Sequence, residues 1–187
     1  RELLTIGKVW ELAQEDRRTP GARPYDLVIL DAPATGHGVA VLSAPHTFAG
    51  TARVGRIARQ AETIDELVTN PRRTAVVAVA RPEALPVNET LQLRDTLAGE
   101  LGLPLSLAVV NRVVPDRLTA AEAQALGAQP RASRAVALAL TGHHRAKAQR
   151  AQVARLRRGL DCRVCGLRDL HRPAVDAATI RELAGEL

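Results

Sequence analysis

Residues 27–38 read LVILDAPATGHG and hold the most informative pattern in the chain. An apolar run ends in Asp31, and small, turn-forming residues follow as far as Gly38. In open α/β sheets, ligands bind beyond the carboxyl ends of the strands. The pattern therefore predicts a buried strand, Tyr25–Asp31, that delivers a carboxylate to a ligand site.

Three further apolar runs, Thr74–Ala80, Leu105–Asn111 and Leu160–Cys165, are short and bounded by Pro, Gly or charge. Such runs are typical of strands buried on both faces of a parallel sheet. Helical periodicity is found in Arg1–Gln14, Phe48–Thr69, Leu85–Leu101, Ala120–Leu126, Ala132–Arg158 and Thr179–Glu186. The apolar positions expected in Ala132–Arg158 are Val136, Leu138, Leu140, Val153 and Leu156. The alternation predicts an α/β fold with crossover helices. We expect one domain over residues 1–187, with a short helical insertion at 38–73 and a long basic helix at 132–158.

The composition limits the kinds of partner. The chain has one Phe, one Trp and one Tyr, and a net charge of +6. Two interpretations of this charge are open: a generally Arg-rich composition without functional meaning, and a surface that binds an anionic partner. Residues 131–158 are basic and contain no acidic residue. A nucleic-acid-binding module built on this stretch is one hypothesis, but the scarcity of aromatic side chains and of known motifs makes nucleic acid an unexpected partner.

The cysteines and the apolar runs indicate a cytoplasmic protein. Cys162 and Cys165 are too few for a disulfide framework. They are interpreted as inert thiols, as a zinc pair shared across a dimer, or as a redox pair. No apolar run reaches the roughly 18 residues that span a bilayer, so no transmembrane segment is expected. The chain begins at Arg1 and contains no Met, and we expect it to be a piece of a longer protein.

The string from Asp31 to His37 resembles the switch II signature of the arsenite-pump and tail-anchored-protein-targeting ATPases, a deviant P-loop family. The usual string there is Asp-Thr-Ala-Pro-Thr-Gly-His. Asp31, Thr35, Gly36 and His37 match it in place. Pro33 is displaced by one position, and Ala34 stands where the family has proline.

Three other segments resemble the same family. Residues 81–93 (RPEALPVNETLQL) are similar to its strand-loop-helix, and residues 7–12 (GKVWEL) are similar to the segment before its switch II strand. Residues 107–113 (LAVVNRV) resemble the strand that leads to its adenine-binding Asn. An Asn amide suits that task because it both donates and accepts hydrogen bonds.

The resemblance implies a parallel-sheet, P-loop NTPase-like fold of the SIMIBI type, here incomplete at its N-terminus, with ATP and Mg²⁺ as cofactors. It implies that Asp31 is catalytic and meets Mg²⁺ through a bound water, since Mg²⁺ keeps several waters and few carboxylates. No residue is expected to bind the metal directly. The cofactor-binding residues that it implies form two groups. Pro33, Thr35, Gly36 and His37 belong to a switch loop, and Asn111, Arg112, Val113 and Pro115 line the pocket for the adenine base.

The phosphate-binding loop of that family, Gly-Lys-Gly-Gly-Val-Gly-Lys-Thr/Ser, is not found in these 187 residues. Because phosphoryl transfer needs positioned cationic contacts to the phosphates, we expect this chain alone to be inactive. The expected function is part of an ATPase that works as a homodimer or with a sibling ATPase on an unidentified protein or anion cargo. The alternative from the same resemblance is a non-catalytic regulatory partner that has lost the P-loop.

Overall fold

The computed structural model describes residues 2–33, 35–51, 55–129, 133–172 and 174–187. The elements in chain order are α1 (Glu2–Leu12), α2 (Thr35–Thr51), α3 (Arg56–Thr69), β1 (Val76–Ala80), α4 (Ala84–Leu101), β2 (Leu105–Val113), α5 (Ala120–Gly127), α6 (Arg134–Gly159), β3 (Arg163–Arg168) and α7 (Ala177–Ala184). The strands form one small parallel sheet in the order β1-β2-β3. This confirms the predicted α/β class, with a sheet consistent with part of a P-loop NTPase-like fold.

Contacts divide the chain into two compact units. The first comprises Arg1–Val76 and Gln92–Pro104, and the second comprises Val77–Leu91 and Leu105–Leu187. The single domain, the insertion at 38–73 and the basic helix at 132–158 stay predictions about domain organisation.

In the first unit, α1, α2 and α3 pack against one another. The buried residues of α3 include Ala58, Ala61, Ile64 and Leu67, which recur at helical spacing, so α3 is amphipathic. Its apolar face supplies much of the core of this unit.

In the second unit, β2 pairs in parallel with β3, and Ala108 lies opposite Val164. Ala108, Val109 and Val110 are consecutive and all buried, as expected for a strand that is covered on both faces. The long helix α6 packs on β2 and β3. The sheet and α6 thus fix where β2 ends.

Strand β1 departs from the prediction that both strand faces are buried. Ala78 and Ala80 are buried, whereas Val77 and Val79 are exposed. Successive side chains of a strand point to opposite faces, so only the alanine face of β1 is packed. The prediction was wrong for this strand.

The predicted strand Tyr25–Asp31 is also wrong. Among the described residues this stretch forms no strand, and Leu27 and Ile29 are 74% and 82% exposed. A strand needs a neighbour to receive its backbone hydrogen bonds. The apolar sequence is therefore present without the ladder that would make it a strand.

Two helix predictions also need correction. Phe48–Thr69 was expected as one helix, but α2 ends at Thr51 and α3 begins at Arg56, after Gly55 with a φ of 117°. That φ lies outside the range a helix allows. In α6, Leu138 was expected on the apolar face but is exposed, because the residues that α6 buries begin at His143.

Candidate functional site

The switch-like segment lies in the first unit. Asp31 and Pro33 are exposed in the irregular stretch before α2, and Ala34 lies outside the described residues. Helix α2 begins at Thr35, so Gly36 and His37, both exposed, belong to its first turn. The expected loop from Ala32 to Gly38 is thus helical in its second half, because α2 continues into the packing against α1 and α3.

Gly38 permits a close approach within this segment. A Cβ atom at Gly38 would lie 2.9 Å from the carbonyl oxygen of Pro33, whereas a Cβ at Gly36 would meet nothing within 4 Å. A backbone oxygen cannot move away as easily as the end of a side chain. Glycine at position 38 therefore lets Ala32–Pro33 lie against the first turn of α2.

Gly38→Ala is expected to lower the free energy of unfolding by roughly 1–3 kcal/mol, the usual cost of overpacking. Gly36→Ala, two residues away in the same turn, is the matched control. It is expected to leave stability unchanged or to raise it by up to about 1 kcal/mol, since Ala favours helix. Urea unfolding followed by circular dichroism measures both. Equal effects of the two substitutions would contradict the close approach at Gly38.

The predicted base-binding residues lie in the second unit, at the carboxyl end of β2. The pairing of β2 with β3 shifts register between Val110 and Val113. Within this irregular stretch Asn111 is half-buried, and Arg112 adopts a φ of 62°. Non-glycine residues seldom adopt positive φ, and such strain and bulges concentrate near functional sites. The residues predicted to bind the base therefore lie at a strained strand end.

The segment after β3 contacts the same strand end. The backbone N–H of Asp169 donates to the carbonyl of Val113 at 2.8 Å, and the Asp169 carboxylate lies 3.5 Å from Arg112 Nε. Hydrogen bonds from His171 are the main cause that lowers the pKa of Asp169. The sequence analysis missed Asp169. Its signal in the sequence is weak, because one arginine separates Asp169 from the apolar residues before it, whereas Asp31 directly follows its apolar run.

Helix α6 contacts the residues that follow β2. The N–H of Val114 donates to Gln149 Oε1 at 2.7 Å. Asp116 accepts from Arg150 and lies 3.0 Å from His143 Nδ1. Hydrogen bonds from Arg150 and then His143 lower the pKa of Asp116 to about 2. The carboxylate is therefore ionised at neutral pH, and since it only accepts, Nδ1 of His143 carries the proton.

This pKa predicts an acid-dependent contribution to stability. The pKa of Asp116 falls from 3.8, its ordinary value, to about 2 in the folded protein. The unfolded state thus holds more protons between these values, and the contribution is present above pH 3.8 and lost as the pH falls toward 2. Asp116→Asn should lower the unfolding temperature at neutral pH, with a gap to wild type that closes over this window. The exposed Asp161→Asn serves as control at neutral pH, and a gap that widens on acidification would contradict the pairing.

A groove of about 600 Å³ opens beside the end of β2. Its lining joins small apolar surfaces with guanidinium groups, namely Val113, Arg150, Val153, Ala154, Arg157, Arg158 and Gly166. Such a lining suits a ligand that has both an apolar and an anionic part. A second cavity, of about 470 Å³, lies between α1 and α3 and is lined by none of the predicted site residues.

The two cysteines are free thiols that the protein covers at least partly. Cys165 is buried and Cys162 is half-buried. Burial is the main cause that raises the pKa of the Cys162 thiol, which lowers its thiolate fraction at neutral pH. Among the described residues, no group of three or more His, Cys, Asp or Glu side chains could hold a metal ion. In the same part of the chain, no helix has the length and apolarity to cross a membrane.

The predicted residues therefore form two groups, each described within its own unit. The switch-like group around Asp31 belongs to the first unit, and the group from Asn111 to Pro115 belongs to the second. Pro115 is exposed and Val113 is half-buried.

Comparison with known proteins finds partial matches to one group of ATPases. Residues 51–132 match the family model described as anion-transporting ATPase. The ATPase BagA of Mycobacterium tuberculosis is 32% identical over 120 residues, which cover 63% of this chain and 34% of BagA. A Mycobacterium bovis protein provisionally named as an ATPase matches to the same extent.

A Halobacterium salinarum protein, provisionally named as an arsenical pump-driving ATPase, is 26% identical over 100 residues, or 49% of this chain and 16% of that protein. The chain spans about a third of the length of the mycobacterial relatives. The family match includes the strained end of β2, with Asn111, Arg112, Val113 and Pro115. These matches, each of which covers part of the chain, support a relationship to the ArsA-like, anion-transporting ATPase family.

Proposed function

We propose that this chain carries the switch II and base-binding segments of a protein that binds and hydrolyses ATP as a dimeric nucleotide switch. The relationship to this family supports the use of a nucleotide. The observation that carries the proposal is the strained carboxyl end of β2, where Arg112 has a φ of 62° inside the segment that matches the family model.

The base-binding role rests on the residues around that strand end. Asn111 is half-buried, so its amide is only partly covered by protein. One edge of an adenine ring offers both a donor and an acceptor, which an amide can match. The lining of the neighbouring groove includes apolar Val113 and cationic Arg157 and Arg158. These features together suit a flat heterocycle linked to an anionic group.

The switch role rests on Asp31 and the start of α2. The first N–H groups of a helix lack intrahelical partners and favour anions, and α2 begins four residues after Asp31. Within the described ranges Asp31 forms no ion pair and is exposed. A lone exposed carboxylate fits contact with Mg²⁺ through water better than direct coordination. Bound Mg²⁺ would neutralise charge on the phosphates.

Calorimetry on the full-length gene product tests the proposal. We expect Mg²⁺-ATP to bind with micromolar affinity, and velocity sedimentation with ATP and with ADP to give different dimer populations. Absence of ATP binding would refute the proposal. Binding without hydrolysis would favour the alternative of a regulatory partner over the enzyme.

A further inference from the structure

The buried face of α6 includes polar side chains, which are seldom buried in a helix that packs on a sheet. His143, Ala146 and Gln149 are all buried at helical spacing, with His143 8% and Gln149 4% exposed. Buried polar groups are nearly always hydrogen-bonded, because leaving them unpaired is costly. The partners of this face are therefore informative.

Both polar residues are paired with the same short segment. Gln149 accepts from the N–H of Val114, and His143 donates to Asp116. Arg150, the next residue of α6, pairs with the other oxygen of that carboxylate. Three side chains of one helix thus hold Val114 and Asp116 in place.

Residues 114–116 need contacts from other elements because they follow the end of β2 and, among the described residues, have no strand partner there. After Val113 the regular ladder stops, and Pro115 has no N–H to donate. Upstream, Arg112 is already in a strained conformation. Strained backbone persists only where its surroundings determine it strongly. Asp169 contacts Arg112 and Val113, and α6 contacts the residues that follow them.

We propose that Gln149, together with His143 and Arg150 acting through Asp116, positions the Asn111–Pro115 segment so that it selects the adenine base. This inference rests on the proposed base-binding function. It makes Gln149 and His143 positioning residues, which do not themselves touch the nucleotide, whereas Arg150 also lines the groove.

The first test is Gln149→Met, which keeps the length of the side chain and removes the acceptor for Val114. Gln152→Met on the same helix is the matched control, since Gln152 Oε1 is buried without a hydrogen-bond partner among the described residues. Dissociation constants for ATP, GTP and tripolyphosphate are measured by calorimetry on the full-length gene product.

For Gln149→Met we expect a dissociation constant for ATP raised about tenfold, the upper range for one neutral hydrogen bond. The preference for ATP over GTP should shrink, and the affinity for tripolyphosphate, which has no base, should not change. Gln152→Met should behave as wild type.

Arg150→Gln gives an independent test should Gln149→Met fail to fold. Arg150 is half-exposed, so its loss leaves the core intact while it removes one partner of Asp116. We expect a rise of about threefold in the dissociation constant for ATP and a smaller preference for ATP over GTP. Arg155→Gln, on the exposed side of α6, is its control.

Two results would overturn the inference. One is an unchanged preference for ATP over GTP in Arg150→Gln and Gln149→Met. The other is a parallel loss of ATP and tripolyphosphate binding in Gln149→Met, which would make its contact with Val114 merely structural. A wild-type protein that binds tripolyphosphate as tightly as ATP would instead refute the base-binding function itself, so the two failures are distinguishable.

Discussion

Asp31→Asn is expected to lower the rate of ATP hydrolysis by the full-length gene product at least about 100-fold, with little change in the affinity for ATP. Removing one electrostatic contact to the reacting centre typically costs a factor of about 100 to 1,000 in turnover. Asn keeps the shape of Asp but loses the charge that would hold a water of the Mg²⁺ shell. Release of phosphate at saturating Mg²⁺-ATP measures the effect.

The position of Asp31 makes this substitution a clean test. Asp31 is exposed and, within the described part of the chain, forms no ion pair, so the unfolding temperature of Asp31→Asn should match that of wild type. Asp26→Asn, an exposed carboxylate in the same irregular stretch, is the control and should keep full activity. Full turnover in Asp31→Asn would remove Asp31 from the catalytic machinery.

Asn111→Ala is expected to raise the dissociation constant for ATP about tenfold and to reduce the preference for ATP over GTP. Loss of hydrogen bonds between Asn111 and the base accounts for a free-energy difference of about 1.4 kcal/mol, which corresponds to that factor. Competition binding with a fluorescent ATP analogue measures both quantities.

Asn88→Ala in α4 is the matched control, since Asn88 is exposed on a helix and should have no effect on binding. The turnover of bound ATP in Asn111→Ala should stay within about threefold of wild type, because the base lies away from the reacting phosphate. A turnover that collapses while the affinity holds would contradict the assignment of Asn111 to the base.

Sequence periodicity predicted most of the elements in the second unit. The run Leu105–Asn111 became β2, which extends to Val113, and the run at 160–165 became β3, displaced to Arg163–Arg168. Helices α4 and α6 lie within a few residues of their predicted bounds, and α4 stops at Gly102, which has a φ of 62°. Local signals sufficed because apolar runs and a glycine stop depend on nearby residues only.

The failures have a different origin. Tyr25–Asp31 has the sequence of a strand, but a strand is completed by its neighbours, which its own residues do not specify. The contacts of Gln149 with Val114 and of Asp169 with Val113 join residues that are distant in sequence. No local pattern marks a glutamine that packs inward from a basic helix, so this part of the candidate site emerged only from the structure.

In the proposed function, the end of β2 contacts the base of a bound nucleotide. Photolabelling of the full-length gene product with 8-azido-ATP, followed by peptide mapping, tests this contact. We expect label within residues 111–116 or on the neighbouring Asp169–Arg172 segment, and protection from labelling by excess ATP. Label that ATP protects but that maps elsewhere in the protein would show that the end of β2 does not bind the base.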